Sequence, residues 1–258
     1  MNVYLAEFVG TLILILLGNG AVANVVLKQS KGHGGGWIVI TAGWGFAVAI
    51  AVYSVGRISG AHINPAVTVA LASVGEFEWS FVPGYVISQT AGAFTGAVLV
   101  YLTYLPHWAL TDDQGLKLAT FSTAPAVRKP VANLLTEIIG TIVLVFGVLS
   151  LVSISAGMGT PDGTDVAALS LHETMVAGLS TFITPMLVGI LVFSIGLSLG
   201  GPTGYAINPA RDLGPRLAHA VLPIAGKGKS DWSYAWIPVV GPLAGGVIGA
   251  TLFKLCGF

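Results

Sequence analysis

Long apolar runs recur along the chain and are separated by short polar or glycine-rich segments. Each run is close to the ~20 residues that a helix needs to cross a hydrocarbon core about 30 Å thick. The pattern therefore predicts six membrane-spanning helices. They extend from about Tyr4 to Leu27, Trp37 to Val55, Phe81 to Leu105, Asn133 to Ser155, Thr174 to Leu197 and Tyr234 to Leu255.

Two shorter apolar stretches lie between spans, and each follows an Asn-Pro-Ala tripeptide. Asn is a preferred N-cap and Pro suits the first helical position, so each tripeptide predicts a helix start. A helix from Asn64 to about Ser73 would be ~15 Å long, about half of the hydrocarbon core. Two such half-helices meeting tip to tip would make one span, and their positive dipole ends would repel cations and protons. The tripeptides are Asn64-Pro65-Ala66 and Asn208-Pro209-Ala210.

The two halves of the chain repeat one order of elements, three spans with a half-helix between the second and the third. Segment 6–11 resembles segment 136–141, and segment 59–64 resembles segment 203–208. Because three is odd, the second copy enters the membrane from the opposite side, which gives an inverted repeat. We expect one all-α transmembrane domain, 1–258, with repeat one at about 1–105 and repeat two at about 131–258. The polar stretch of about 106–130 between them is predicted to be a surface loop.

Composition supports a polytopic membrane protein. The chain is 54% hydrophobic and only 9% charged, with a mean hydropathy of +0.85, whereas about a quarter of the residues in soluble domains are charged. The 11 basic and 11 acidic residues balance, so no electrostatic argument favours nucleic acid as a partner. The single Cys256 excludes an intrachain disulfide and a thiolate metal site, and we expect no metal or cofactor.

Two carboxylates, Glu7 and Glu137, lie at equivalent positions inside the first and fourth spans. A carboxylate within a span is costly and is usually paired or functional. The equivalence favours a shared structural task, in which each accepts hydrogen bonds from the irregular backbone before a half-helix. A proton relay is the alternative.

Other function classes are less consistent with these residues. A membrane enzyme would need a nucleophile with a base, or a set of metal ligands, and the histidines are scattered. A coupled transporter also has broken helices, but it normally places ionisable groups at the substrate site. Here the central residues are the neutral Asn64 and Asn208, which favours passive flux.

These motifs resemble the aquaporin and glycerol-facilitator family over nearly the whole chain. The segments 59–68 and 204–212 are similar to its two signature loops. The resemblance implies six tilted helices around a pore, assembled as a homotetramer in the lipid bilayer with one pore per subunit. It also implies a channel rather than an enzyme.

The resemblance places the constriction of the pore by distance from the motifs. Trp44 lies twenty residues before Asn64, while Gly196 lies twelve before Asn208; Tyr205 and Arg211 lie three on either side of Asn208. Water-only channels usually have His where this chain has Gly196. The aromatic corner opposite Arg211 therefore suits a polyol such as glycerol.

Further roles follow from the same resemblance. Asp212 directly after Arg211 is a glycerol-facilitator feature and is expected to give structural support. Tyr205 is a departure, because polyol channels commonly have Phe there. The expected solutes are glycerol, water and other small neutral molecules, and the alternative is a channel mainly for water or for undissociated hydroxy acids such as lactic acid. The backbone carbonyls expected to line the pore are those of Gly60, Ala61, His62, Gly204, Tyr205 and Ala206, with the Asn64 and Asn208 amides as central donors.

The charge distribution and the family resemblance predict opposite orientations in the membrane. Basic residues follow the first, third and fifth spans, which the positive-inside rule would place in the cytoplasm. The resemblance implies cytoplasmic termini in a bacterial plasma membrane, and we expect that orientation. The basic residues are Lys28, Lys31, Lys117, Arg128, Lys129, Lys227 and Lys229, against Arg57 and Lys254 on the opposite side.

Overall fold

A computed structural model describes residues 1–157 and 171–257, and the regular structure in these residues is helical. A single 3-10 turn, Trp79–Phe81, precedes the fourth helix. In chain order the α-helices are α1 Val3–Val26, α2 Trp37–Ser59, α3 Pro65–Ser73, α4 Val82–Thr103, α5 His107–Leu110, α6 Gln114–Ala119, α7 Pro130–Gly157, α8 Leu171–Leu199, α9 Pro209–Val221 and α10 Ile237–Leu255.

Six helices in the described ranges, α1, α2, α4, α7, α8 and α10, have segments apolar and long enough to cross a membrane. They correspond to the six predicted runs. The second span continues past the predicted end at Val55, because α2 ends only where Gly60 adopts a left-handed conformation with φ of 79°. The half-helix α3 ends at Ser73, as predicted, while α9 extends to Val221.

The helices pack in two equivalent sets. In the first half α1 contacts α2 and α4, and in the second half α7 contacts α8 and α10. The two sets meet where α2 packs on α8. Each half-helix also packs across the halves, α3 on α10 and α9 on α4. The two half-helices are therefore held at the junction of the two repeats.

The stretch 106–130 includes two short helices, α5 and α6, and buried aromatic residues. Trp108 is 1% exposed and Phe121 is fully buried, and their rings pack against each other. On the exposed surface, Lys28 Nζ donates a hydrogen bond to the Asp112 carboxylate, and this bond lowers the pKa of the Asp112 carboxyl. The stretch combines exposed polar residues with a few apolar residues that turn inward, and its role as a surface linker between the repeats stays a prediction.

Candidate functional site

The two half-helices start at one point and are linked to each other through their N-cap side chains. Asn64 Oδ1 accepts from Ala66 N at 2.8 Å, and Asn208 Oδ1 accepts from Ala210 N at 3.0 Å. Asn64 Nδ2 donates to the carbonyl of Ile207 and Asn208 Nδ2 donates to that of Ile63, both at 2.8 Å. An amide nitrogen carries two hydrogens, so each asparagine keeps one donor beyond this reciprocal link.

The loop before each half-helix has an alternating left-handed backbone. Ala61 and Ile63 have φ of 48° and 43°, and Tyr205 and Ile207 have φ of 40° and 43°. Each such non-glycine residue costs about 1–3 kcal/mol and persists only when its surroundings hold it. The matched geometry shows that both loops are held in one conformation by equivalent surroundings.

Glu7 supplies those surroundings for the first loop. Its carboxylate accepts from the backbone of His62 at 3.0 Å and from that of Ile63 at 2.7 Å. Ser59 Oγ and Gln89 Nε2 donate to the same carboxylate at 2.6 and 2.7 Å. A fully buried carboxylate with four donors is compensated for the loss of water.

Glu137 does the same for the second loop. Its carboxylate accepts from the backbone of Ala206 at 3.0 Å and from that of Ile207 at 2.8 Å. Glu137 is 1% exposed, so its two contacts with the loop are shielded from water. Because these loop N–H groups point toward a glutamate, the adjoining carbonyls of the loop can point in the opposite direction.

A cavity of about 140 Å³ lies along these loops. Its lining includes the apolar residues Leu14, Val48, Leu144 and Val192. Residues of both loops also line the cavity, and those among the predicted carbonyl residues are Gly60, Ala61, His62, Tyr205 and Ala206. Gly204 is not among the lining residues; a Cβ there would contact the Thr123 side chain at 3.4 Å. Ile63 and Ile207, which were not in the predicted set, line the cavity instead.

Three of the four predicted constriction residues, Trp44, Tyr205 and Arg211, line this cavity together. The Arg211 guanidinium carbon lies 4.1 Å from the centroid of the Trp44 ring, in a cation–π contact. Gly196 is not among the lining residues and lies behind Tyr205, where an added Cβ would be 2.8 Å from Tyr205 Cζ. The glycine thus leaves the space that the tyrosine ring occupies.

Asp212 joins the 106–130 stretch to the second half-helix. Its carboxylate accepts from Thr123 N at 2.8 Å and from Thr123 Oγ1 at 2.6 Å. It also forms a fully buried ion pair with Arg216, whose Nε lies 2.7 Å from Asp212 Oδ1. Asp212 was predicted as a supporting residue and Arg216 was not, although a spacing of four residues on a helix indicates such a pair.

The carbonyl of Phe121 is a second feature that the sequence analysis missed. Arg211 NH1 lies 3.5 Å from this oxygen, and Asn19 Nδ2 donates to it at 3.2 Å. Asn19 is fully buried in the first span. A backbone oxygen leaves no signal in a sequence, but a buried asparagine within an apolar span is a polar residue that requires a partner.

The comparisons with known proteins agree with this architecture. A model of the major intrinsic protein family matches residues 1–253, and the chain belongs to this family. It is 64% identical over 254 residues to the probable glycerol uptake facilitator protein of Thermotoga maritima, covering 98% of this chain and 99% of that one. It is 51% identical to the glycerol uptake facilitator protein of Bacillus subtilis, covering 98% and 84%. The X-ray structure of the aquaglyceroporin from Plasmodium falciparum matches with a TM-score of 0.78 at 28% identity, covering 99% and 96%.

These findings confirm the predicted family, the aquaporin fold with its re-entrant half-helices, and the channel class. The protein is a channel and not an enzyme. With its membrane-length helices and its bacterial relatives, it is a multi-pass protein of a bacterial plasma membrane.

Proposed function

We propose that this protein is a passive channel for glycerol and other small uncharged solutes, with some permeability to water. The observation that carries the proposal is the amphipathic cavity, in which Trp44 and Tyr205 adjoin the Arg211 guanidinium. The carbon chain of a polyol packs against the aromatic and aliphatic side, while its hydroxyls exchange hydrogen bonds with the arginine and the loop backbone. The names of the relatives at 64% and 51% identity support glycerol as the solute.

In this proposal Trp44, Gly196, Tyr205 and Arg211 form the selectivity filter. Arg211 is 6% exposed, so its charge acts through a medium of low polarity and repels cations strongly. Its donors replace the water around the solute hydroxyls, whereas the aromatic rings contact the carbon atoms. Gly196 acts indirectly, through the room that it leaves for Tyr205.

Ion and proton exclusion has a second source at the centre of the cavity. The half-helices begin at Asn64 and Asn208, and a helix N-terminus carries about half a positive charge. The remaining amide hydrogens of the two asparagines orient a solute or a water molecule there. The Asn-Pro-Ala motifs thus provide both the central donors and the positive field.

We also propose that four copies assemble as a homotetramer, with one pore in each subunit. Many large apolar side chains are exposed on the spans, such as Phe46 and Phe182, and lipid or neighbouring subunits cover them. Since each cavity is formed by residues of one chain, assembly stabilises the protein but does not build the pore. Native mass spectrometry in mild detergent tests the assembly, and a monomer with full glycerol flux would contradict it.

The channel mechanism is tested by the concentration dependence of radiolabelled glycerol flux into vesicles that contain the purified protein. A passive channel gives an initial flux that is linear in the glycerol gradient and unchanged by sodium or proton gradients. Saturable uptake that depends on one of these ions would show a coupled transporter instead. Undissociated lactic acid, offered at low pH in parallel, measures how far the solute range extends.

A further inference from the structure

Trp37, at the start of α2, contacts both Tyr205 and the backbone on which the Tyr205 ring rests. Its indole Nε1 donates to the Gly196 carbonyl at 2.9 Å. Its ring packs edge to face against the Tyr205 ring, with centroids 5.9 Å apart and an interplanar angle of 76°. One side chain therefore links the beginning of α2, the end of α8 and the loop that precedes α9.

The Tyr205 ring lies in a slot bounded by two glycines. A Cβ on Gly196 would lie 2.8 Å from Tyr205 Cζ, and a Cβ on Gly200 would lie 2.5 Å from Tyr205 Cδ1. The Gly200 Cβ would also lie 2.9 Å from Trp37 Cζ2, so the indole closes another side of the same slot. The ring is therefore closely packed on these sides, and the absence of a Cβ at the two glycines leaves room for it.

No polar contact fixes the ring either. The Tyr205 hydroxyl oxygen is buried and has no hydrogen-bond partner among the residues that the structure describes. The ring position accordingly depends on its neighbours, and the edge-to-face contact with Trp37 is the directional one among them.

We propose that Trp37 is a positioning residue for the constriction: its indole closes one side of the slot that holds the Tyr205 ring, and so sets the width open to a solute. This inference rests on the proposed function, because it takes Tyr205 to face the conduction path. Without the indole, the ring relaxes into the vacated volume and the constriction widens. A four-carbon polyol then gains permeability relative to glycerol.

Trp37 is 39% exposed near the end of a span, where tryptophans also serve as anchors at the membrane interface. An anchor affects how much protein inserts and folds. It does not affect the ratio of two permeabilities through the channels that do fold, so this ratio distinguishes positioning from anchoring.

The test measures erythritol and glycerol permeabilities by stopped-flow on vesicles containing the full chain. The variants are Trp37→Leu, which loses both contacts, and Trp37→Phe, which keeps a ring but loses the donor to Gly196. Trp236→Leu is the matched control, because Trp236 is a 45% exposed tryptophan that precedes α10. We expect the erythritol-to-glycerol ratio to rise roughly two- to tenfold in Trp37→Leu, less in Trp37→Phe, and not at all in the control.

A Tyr205→Ala background completes the experiment. With the ring absent, Trp37→Leu should leave the ratio unchanged. A ratio that is unaltered or lowered in the wild-type background, or that rises equally in the Tyr205→Ala background or in the control, would overturn the role of Trp37. If the wild type itself does not conduct glycerol, the proposed function fails and this inference fails with it; normal glycerol flux with an unaltered ratio refutes only Trp37.

Discussion

At the scale of single residues, Gly196 and Tyr205 share one volume. The family resemblance predicts both residues at the constriction, with Gly196 in place of a histidine and Tyr205 in place of a phenylalanine. The structure places the buried hydroxyl beside Gly196, where an added Cβ would lie 2.9 Å from it. The tyrosine hydroxyl is thus accommodated in the packing beside Gly196.

Gly196→Ala tests this shared volume. The new methyl would lie 2.8 Å from both Tyr205 Cζ and Thr41 Cγ2, so the ring must shift toward the cavity. Overpacking of this kind costs about 1–3 kcal/mol, and we expect glycerol permeability to fall about tenfold while water permeability changes less. Gly201→Ala is the matched control, since a Cβ there meets nothing within 4 Å. Equal effects of the two substitutions on stopped-flow rates would refute the steric argument.

Arg211 provides a second test at this scale. Replacing it with alanine opens the constriction and removes a buried positive charge, so small-solute flux should rise and proton exclusion should weaken. A pH-sensitive dye inside vesicles reports the proton leak under an imposed gradient. Arg57→Ala, at an exposed arginine near the end of α2, should have no effect. Identical proton leak in both variants would remove Arg211 from the filter.

At the scale of elements, each signature loop depends on one buried glutamate. A glutamine at position 137 keeps the shape of the side chain but supplies one acceptor and one NH₂ group, so a backbone N–H of Ala206 or Ile207 loses its partner. An unpaired buried group costs about 1–3 kcal/mol. We expect Glu137→Gln to lower the unfolding temperature in detergent and the glycerol flux.

Two further variants serve as comparisons for Glu137→Gln. Glu7→Gln should behave like Glu137→Gln, because both carboxylates accept from two consecutive loop amides. Thr136→Ala, at a neighbouring residue whose hydroxyl donates to Ala132 O in its own helix, should leave both quantities near the wild-type values. Wild-type stability and flux in Glu137→Gln would exclude the supporting role and would favour a proton relay.

Sequence patterns predicted the elements well where the signal is local. Apolar runs specify spans, and the N-cap asparagines with their following prolines specify where α3 and α9 begin. The burial of Phe121 in the stretch 106–130 could not be predicted in this way, because its ring packs against His219, which is distant in the chain. The Phe121 carbonyl and the slot around Tyr205 emerged only from the fold, whereas Arg216 and Asn19 carry local signals, a spacing of four residues from Asp212 and a polar side chain within a span.

At the scale of the whole molecule, the charge distribution opposes the orientation expected from the family. Lys28 follows the first span and its side chain is half exposed, whereas Lys117 is 2% exposed and is unsuitable for labelling. Cys256, the single cysteine, is exposed at the end of α10. An odd number of spans separates Lys28 from Cys256, so the two lie on opposite sides of the membrane.

These positions determine orientation directly. In intact cells a membrane-impermeant maleimide should leave Cys256 unlabelled, and it should label a Lys28→Cys, Cys256→Ser variant. Permeabilised cells provide the control, in which both proteins react. Labelling of Cys256 in intact cells, with none at position 28, would reverse the orientation and show that the basic loops follow the positive-inside rule.

The central claim, that the amphipathic cavity conducts glycerol, is tested most directly by stopped-flow light scattering on vesicles that contain the wild-type protein. An impermeant osmolyte is applied first and an inward glycerol gradient second. We predict fast shrinkage in the first case, and in the second shrinkage followed by fast re-swelling, relative to vesicles without protein. Fast shrinkage without glycerol re-swelling would contradict it and would show that Tyr205 closes the constriction to polyols, which would leave a water channel.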